Sequence, residues 1–169
     1  RRTGEDGGHV LEELQPAVRS LVKQFPAIPA WRTARASLAA TVGDEDEAIT
    51  ELERLAADDF AAIPKDINWL PAMALMGEAA ALVSRQDLAE QIYEKLREYD
   101  GRVIVVGRAA ATNGPVSRIL GLLAWVIGRL DEAQALLESG IEQSRRMGNR
   151  PFVALGRAEL GRVLLDRGD

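Results

Sequence analysis

Apolar residues recur along this chain at spacings of three and four, and one short phrase opens three of the segments that they form. Each copy of the phrase has a turn, then an Asp, one further residue and an Ala, with apolar residues four and usually seven positions after the Ala. This spacing places the apolar residues on one face of a helix. The copies are Gly43-Asp44-Glu45-Asp46-Glu47-Ala48, Ser84-Arg85-Gln86-Asp87-Leu88-Ala89 and Gly128-Arg129-Leu130-Asp131-Glu132-Ala133.

A small residue stands twelve positions before the Ala of each copy. Small side chains on two helices allow their backbones to approach closely, and an Asp at a helix start can accept hydrogen bonds from free backbone N–H groups. The pattern therefore predicts a repeated hairpin of two antiparallel helices. The pairs are Ala36 with Ala48, Gly77 with Ala89 and Gly121 with Ala133, and Gly161 with Gly168-Asp169 fits the same repeat frame.

The repeat frame predicts a leading helix and three and a half hairpins. The leading helix covers about 9 to 24, and Pro16 is tolerated there only in the first turn or at a kink. Proline near a helix start costs little, which suits Pro29, Pro71, Pro115 and Pro151. First helices are predicted near 29–42, 69–83, 115–127 and 151–167, and second helices near 46–58, 87–99 and 131–147.

The link after the second hairpin contains the β-branched run Val103-Ile104-Val105-Val106. Propensity favours a strand there, but the sequence offers no pairing partner, so we expect an extended segment buried across the stack. The predicted fold is all-α, a right-handed superhelical solenoid of helix hairpins forming a single domain over 1–169, with a flexible leader at 1–8.

Composition narrows the class of protein. The chain has 169 residues, 47% hydrophobic but only 5% aromatic, a net charge of −5 and no cysteine. Without cysteines, disulfides and thiolate metal sites are excluded. The polar start and the lack of 18 consecutive apolar residues argue against secretion and membrane spanning. We therefore expect a cytoplasmic protein, and its acidic balance argues against direct nucleic-acid contact.

A search for catalytic chemistry finds little. The only histidine is His9, near the chain start, and no phosphate-binding glycine loop is present. The acidic run at 44–47 lacks the ligand spacing of a calcium loop and is typical of a helix start. The basic cluster at 145–150 could contact phosphate, although cations are also expected in a last helical turn. We expect a protein that is not an enzyme, with no cofactor and no metal.

The small-to-Ala spacing, the Gly-x-x-Asp-x-Ala turns and the Leu120-Gly121 and Leu160-Gly161 pairs resemble the tetratricopeptide repeat (TPR) family. More narrowly, Phe25-Pro26-Ala27-Ile28-Pro29-Ala30-Trp31-Arg32, Leu52-Glu53-Arg54-Leu55-Ala56-Ala57-Asp58-Asp59-Phe60 and Asn68-Trp69-Leu70-Pro71-Ala72 look like the carboxy-terminal repeats of large bacterial regulators. Those proteins join a nucleotide cyclase or a LuxR-type DNA-binding module to a STAND-class ATPase. The resemblance implies a fragment of a longer protein whose last half hairpin leaves apolar Leu160 and Leu164 without a covering helix.

The chain departs from the usual repeat at two kinds of position. Arg35 stands where a first helix normally has Leu. The usual repeat also has a large residue early in each first helix. In the repeat frame, that position is occupied here by Arg32, Met73, Ser117 and Arg157.

A helical-repeat array offers a concave surface lined by its first helices. The predicted function is a non-enzymatic interaction and regulatory module of a bacterial signalling or transcription-regulatory protein, with a protein or peptide, or another domain of the parent chain, in that groove. The alternative is a small-molecule effector sensor, which would need a deep apolar pocket near Trp125. Candidate partner-binding residues on the concave face are Glu78, Arg118, Leu122, Trp125, Glu159 and Arg162.

Overall fold

The computed structural model describes residues 5–25, 29–107 and 111–168, and over these ranges the protein is mostly helical. Its helices begin and end within a few residues of the predicted bounds. The all-α class is therefore confirmed. The helices are α1 Glu5–Gln24, α2 Pro29–Val42, α3 Glu45–Phe60, α4 Trp69–Leu82, α5 Gln86–Leu96, α6 Val116–Val126, α7 Leu130–Arg146 and α8 Arg150–Arg167, with a single 3-10 turn at Arg97–Tyr99 and two strands, β1 Val103–Val106 and β2 Ala111–Pro115.

The leading helix is longer than predicted. It begins at Glu5, so 5–8 of the predicted leader are helical, while 1–4 lie outside the described residues. Pro16 lies inside this helix, beyond its first turn. The repeated Asp of each copy, Asp46, Asp87 or Asp131, lies within the first turn of its second helix, where the helix dipole favours a carboxylate. The N-cap of α3 is Asp44, whose side chain accepts a hydrogen bond from the Glu47 backbone N–H.

The helices pack on one another in pairs. Helices α2 and α3, α4 and α5, and α6 and α7 form hairpins; α2, α4 and α6 lie next to one another in that order; and α8 packs mainly on α7. Aliphatic side chains from every hairpin meet in one continuous core, whose burial supplies most of the favourable free energy of folding. Its fully buried large members include Leu52, Leu55, Met73, Met76, Ile92, Leu96, Ile104, Ile119, Leu120, Leu123 and Leu137.

Gly121 and Gly140 lie where two helices approach each other closely. A Cβ at Gly121 would lie 2.7 Å from Leu137 Cγ and 3.2 Å from the Ala133 carbonyl oxygen. A Cβ at Gly140 would lie 3.1 Å from the Arg118 backbone nitrogen. Gly140 interrupts the apolar pattern of α7 because α6 passes too close there for a side chain.

The segment Val103–Val106 does have a pairing partner. It forms an antiparallel hairpin with Ala111–Pro115, with Val105 opposite Thr112. Ile104 is buried, whereas Val105 and Val106 are exposed, so the expected burial across the stack was wrong for half of the segment. The partner is missed from sequence because Ala-Thr-Asn-Gly-Pro shows none of the alternation of a strand.

Helix α3 ends in an irregular turn that the sequence does not announce. Asp58, Asp59 and Phe60 take left-handed backbone angles, with φ of 49°, 59° and 64°. Non-glycine residues visit this region at a cost of roughly 1–2 kcal/mol each. The turn is held at two points, because Phe60 is buried and Lys95 Nζ lies 2.6 Å from Asp59 Oδ2.

Two glycines of the repeat frame provide a matched stability test. Gly121→Leu should lower the free energy of unfolding by roughly 1–3 kcal/mol or more, because the new side chain collides with Leu137. Gly161→Leu should leave it near the wild-type value, because a Cβ there has no atom within 4 Å. Urea unfolding followed by circular dichroism measures both, and equal stability of the two variants would contradict the helix packing described here.

Candidate functional site

The six residues predicted on the concave face lie on three helices. Glu78 belongs to α4, while Arg118, Leu122 and Trp125 belong to α6. Glu159 and Arg162 belong to α8. The structure brings Glu78, Arg118 and Glu159 together in one ion-pair cluster, which the sequence prediction did not foresee.

Arg118 is the centre of that cluster. Its Nε and Nη2 atoms donate to the Glu159 carboxylate at 2.9 Å and 2.6 Å, and its Nη1 atom donates to Glu78 Oε1 at 2.7 Å. The guanidinium carbon also lies 5.7 Å from the centre of the Phe152 ring. Only 5% of the Arg118 side chain and 7% of the Glu159 side chain are exposed. One buried guanidinium therefore links α4, α6 and α8.

Burial and charge compete at both ends of the Arg118–Glu159 pair. Burial would lower the pKa of Arg118, but the hydrogen bonds and charges of Glu159 and Glu78 raise it, so the guanidinium stays charged. Burial raises the pKa of the Glu159 carboxyl, and Arg118 opposes that rise. Forked hydrogen bonding of this kind fixes geometry as well as charge.

The remaining three predicted residues differ in accessibility. Leu122 is buried, and Trp125 is half-buried with its indole N–H donating to Asp166 Oδ2 at 2.7 Å. Arg162 is exposed. Leu155, which the sequence prediction missed, is exposed. It lies seven residues before Arg162, about two helical turns, and therefore on the same side of α8. We name Trp125, Leu155 and Arg162 the groove patch.

A deep apolar pocket beside Trp125 would have favoured a small ligand. Two clefts among the described residues lie away from Trp125. One of about 460 Å³ is lined by polar groups that include Asp87, Glu90 and Lys95. Another, of about 440 Å³, is lined by Arg145, Gly148, Arg150, Val153, Ala154 and Arg157.

The two arginines that depart from the usual repeat belong to a second ion-pair network. Glu51 of α3 is buried, and its carboxylate lies 3.2 Å from both Arg32 and Arg35 of α2. Glu47 pairs with Arg35 and with Arg19 of α1. The signal was present in the sequence: arginines three apart on one predicted helix face glutamates four apart on the next.

The basic cluster at 145–150 divides into two parts. Arg145 and Arg146 lie in the last turn of α7, as predicted, and both pair with Glu142, at 2.6 Å and 3.1 Å. Arg150 begins α8 and lines the cleft of about 440 Å³ together with Arg145 and Arg157. The cleft is strongly basic although the chain as a whole is acidic.

The remaining sequence features concern the histidine, metal-binding groups and membrane-spanning helices. His9 lies in α1. Within the ranges that the structure describes, no group of three or more His, Asp or Glu side chains is arranged to hold a metal ion. Among those same residues, no helix combines the length and apolar character needed to cross a membrane.

Comparison of the chain with protein-family models, with curated proteins and with solved structures gave no match.

The Arg118 cluster makes a testable contribution to stability. Arg118→Met should lower the free energy of unfolding by about 3–5 kcal/mol, because it leaves the buried Glu159 carboxylate without its counter-charge. The double variant Arg118→Met, Glu159→Met should recover most of that loss. Urea unfolding measures both, with Arg146→Met as an exposed control. The cluster would have no such role if Arg118→Met were as stable as that control.

The second network predicts a pH dependence. Hydrogen bonding to Arg19 lowers the pKa of Glu47 to about 2, against the opposing effect of burial and with help from Arg35. Because the folded-state pKa is below the ordinary value of 4.5, the stabilisation is present above that value and is lost as pH falls towards the folded-state pKa. Urea unfolding across this window should show a shallower loss for Glu47→Gln than for wild type. Parallel curves would contradict the assignment.

Proposed function

We propose that this chain is a TPR-like helical-repeat module that binds a protein or peptide partner on its row of first helices. The proposal includes the role predicted from the family resemblance, an interaction and regulatory module of a bacterial signalling or transcription-regulatory protein. Binding acts by favouring one state of the parent protein over another, which requires different contacts with the partner in the two states.

The observation that carries the proposal is the accessibility of the groove patch beside a rigid support. Arg118, Leu122 and Glu159 are buried, whereas Trp125 is half-buried and Leu155 and Arg162 are exposed. Trp and Arg are the residue types most enriched among residues that dominate binding energy. A partner that covers the groove patch would bury an indole, an aliphatic side chain and a guanidinium.

The support is already ordered before a partner arrives. Arg118 ties α6 to α4 and α8, and the Trp125 indole is held against Asp166 of α8. Trp125 and Arg162 therefore lie on two helices whose relative position is fixed by the ion pairs. Pre-ordering of this kind reduces the conformational entropy lost on binding.

One observation favours the alternative function, small-molecule sensing. A cleft of about 280 Å³ at the α3–α4 link is lined by the apolar Phe60, Ile63 and Trp69, by Lys65, and by the Lys95–Asp59 ion pair. An apolar floor with a few converging charges is the usual composition of a small-ligand site. This cleft lies away from the groove patch.

The function is tested by affinity capture with the 169-residue chain as bait, using lysate from cells that produce the protein. Arg118 is a poor residue for this test because its loss would destabilise the bait, so the patch variant is Trp125→Ala, Arg162→Glu. The expected result is a captured protein, identified by mass spectrometry and confirmed with purified components, whose binding to the patch variant is weaker by about tenfold or more.

Arg97→Glu is the matched control, because Arg97 is an exposed arginine in the turn after α5. This control should capture the partner as wild type does. Equal binding by the wild type and by the patch variant would overturn the groove proposal. A partner or ligand lost instead with Lys65→Ala, Lys95→Ala would favour the cleft at the α3–α4 link.

A further inference from the structure

One face of α8 differs from the groove patch and lies on the opposite side of the helix. Apart from the adjacent Val153 and Ala154, its residues follow one another at intervals of three and four, which places them in a single stripe along α8. Val153, Gly161 and Leu164 are half-buried, whereas the others are exposed. We name this face the α8 stripe, and it consists of Arg150, Val153, Ala154, Arg157, Gly161 and Leu164.

The equivalent stripe on each earlier first helix is covered by another element. A Cβ at Gly121 of α6 would meet Leu137 of α7 at 2.7 Å, and one at Gly77 of α4 would meet Ile119 of α6 at 2.7 Å. A Cβ at Gly161, the equivalent position of α8, would meet no atom within 4 Å. The small residue is present on α8, but the helix that it would accommodate is not packed there.

The position four residues before the small residue shows the same contrast. Met73 of α4 and Ser117 of α6 are fully buried at that position. In α2 the residue is Arg32, which pairs at 3.2 Å with the buried Glu51 of α3. In α8 the residue is Arg157, which is exposed. The α2–α3 hairpin therefore shows that an arginine at this position can be covered by a helix that supplies a glutamate to pair with it.

The charge of the surrounding surface points to the same type of covering helix. Arg157 shares the cleft of about 440 Å³ with Arg145 and Arg150. Arg150 and Arg157 lie on one side of α8, about 10 Å apart along its axis. Arg145 is already paired with Glu142, whereas Arg150 and Arg157, which line the cleft with Val153 and Ala154, suit carboxylates carried on an apolar helix face.

We propose that the α8 stripe binds an acidic amphipathic helix of a partner molecule, lying antiparallel to α8. This helix carries a small residue opposite Gly161, a glutamate three residues later opposite Arg157, and further carboxylates towards Arg150. The arrangement repeats that of α3 on α2, where Ala48 opposes Ala36 and Glu51 pairs with Arg32.

The chain itself supplies both the probe and its control. A synthetic peptide with the sequence of residues 44–60 contains Ala48, Glu51 and, seven residues further on, Asp58. A peptide with the sequence of residues 130–146 has the same small-residue start at Ala133 but Leu136 in place of Glu51. The first peptide matches the proposed partner, and the second lacks the carboxylate that would face Arg157.

The experiment measures binding of the fluorescein-labelled peptides to the 169-residue protein by fluorescence anisotropy. The 44–60 peptide should bind saturably, and the 130–146 peptide should bind about tenfold or more weakly. Arg157→Glu in the protein, or Glu51→Lys in the peptide, should each weaken binding by a similar factor. Combining the two reversals should restore most of the affinity, because the charges are then exchanged.

Gly161→Leu tests the steric half of the proposal. This substitution should leave the fold intact but fill the space for the covering helix, so peptide binding should be lost. The groove patch variant Trp125→Ala, Arg162→Glu should bind the peptide as wild type does, which separates this inference from the proposed function.

Three outcomes would overturn the proposal. The first is the absence of saturable binding of the 44–60 peptide to folded wild-type protein. The second is binding that neither Arg157→Glu nor Gly161→Leu alters. The third is concentration-dependent dimerisation in sedimentation velocity that Arg157→Glu abolishes while no peptide binds, since the occupant would then be a second copy of the chain.

Discussion

The arrangement of the later first helices depends on one buried guanidinium. Arg118 reaches carboxylates on both neighbouring helices, and Gly140 lets α7 approach its backbone closely. Desolvating three ionisable groups is costly, and the cost is offset only while every partner is in place. The main effect of the cluster is therefore to select one alignment of α4, α6 and α8 rather than to add stability. This alignment also fixes the positions of the accessible side chains beside the cluster.

Sequence reasoning located the helices well because their signals are local. Apolar spacing and the small-to-Ala distance of twelve residues survive in any sequence that forms such hairpins, so the bounds of α2 were predicted in full. The strand partner at Ala111–Pro115 was missed because its residues have weak strand propensity and depend on pairing with Val103–Val106. Residue spacing within one segment carries no information about which distant segment it pairs with.

The candidate site was predicted only in part, for a related reason. The repeat frame placed Glu78, Arg118 and Glu159 on one face. A charged residue at such a position can either remain accessible to a partner molecule or form ion pairs with neighbouring helices of the same protein. Arg118 forms ion pairs because Glu78 and Glu159, of opposite charge, lie about 40 residues before and after it, which is one repeat step. Arg32 and Arg35 carried the same information in the first hairpin, where they departed from the usual pattern and paired with Glu51.

The left-handed turn at Asp58, Asp59 and Phe60 has a mechanical consequence. Three consecutive non-glycine residues with positive φ hold conformational energy that is released if the turn opens. The buried Phe60 ring, the Lys95–Asp59 ion pair and the backbone hydrogen bonds from Ala61 to Asp58 and from Ile63 to Phe60 oppose that release. The joint between α3 and α4 is therefore a spring held shut by its own contacts, and α2, which packs directly on α4, keeps the two sides of that joint together.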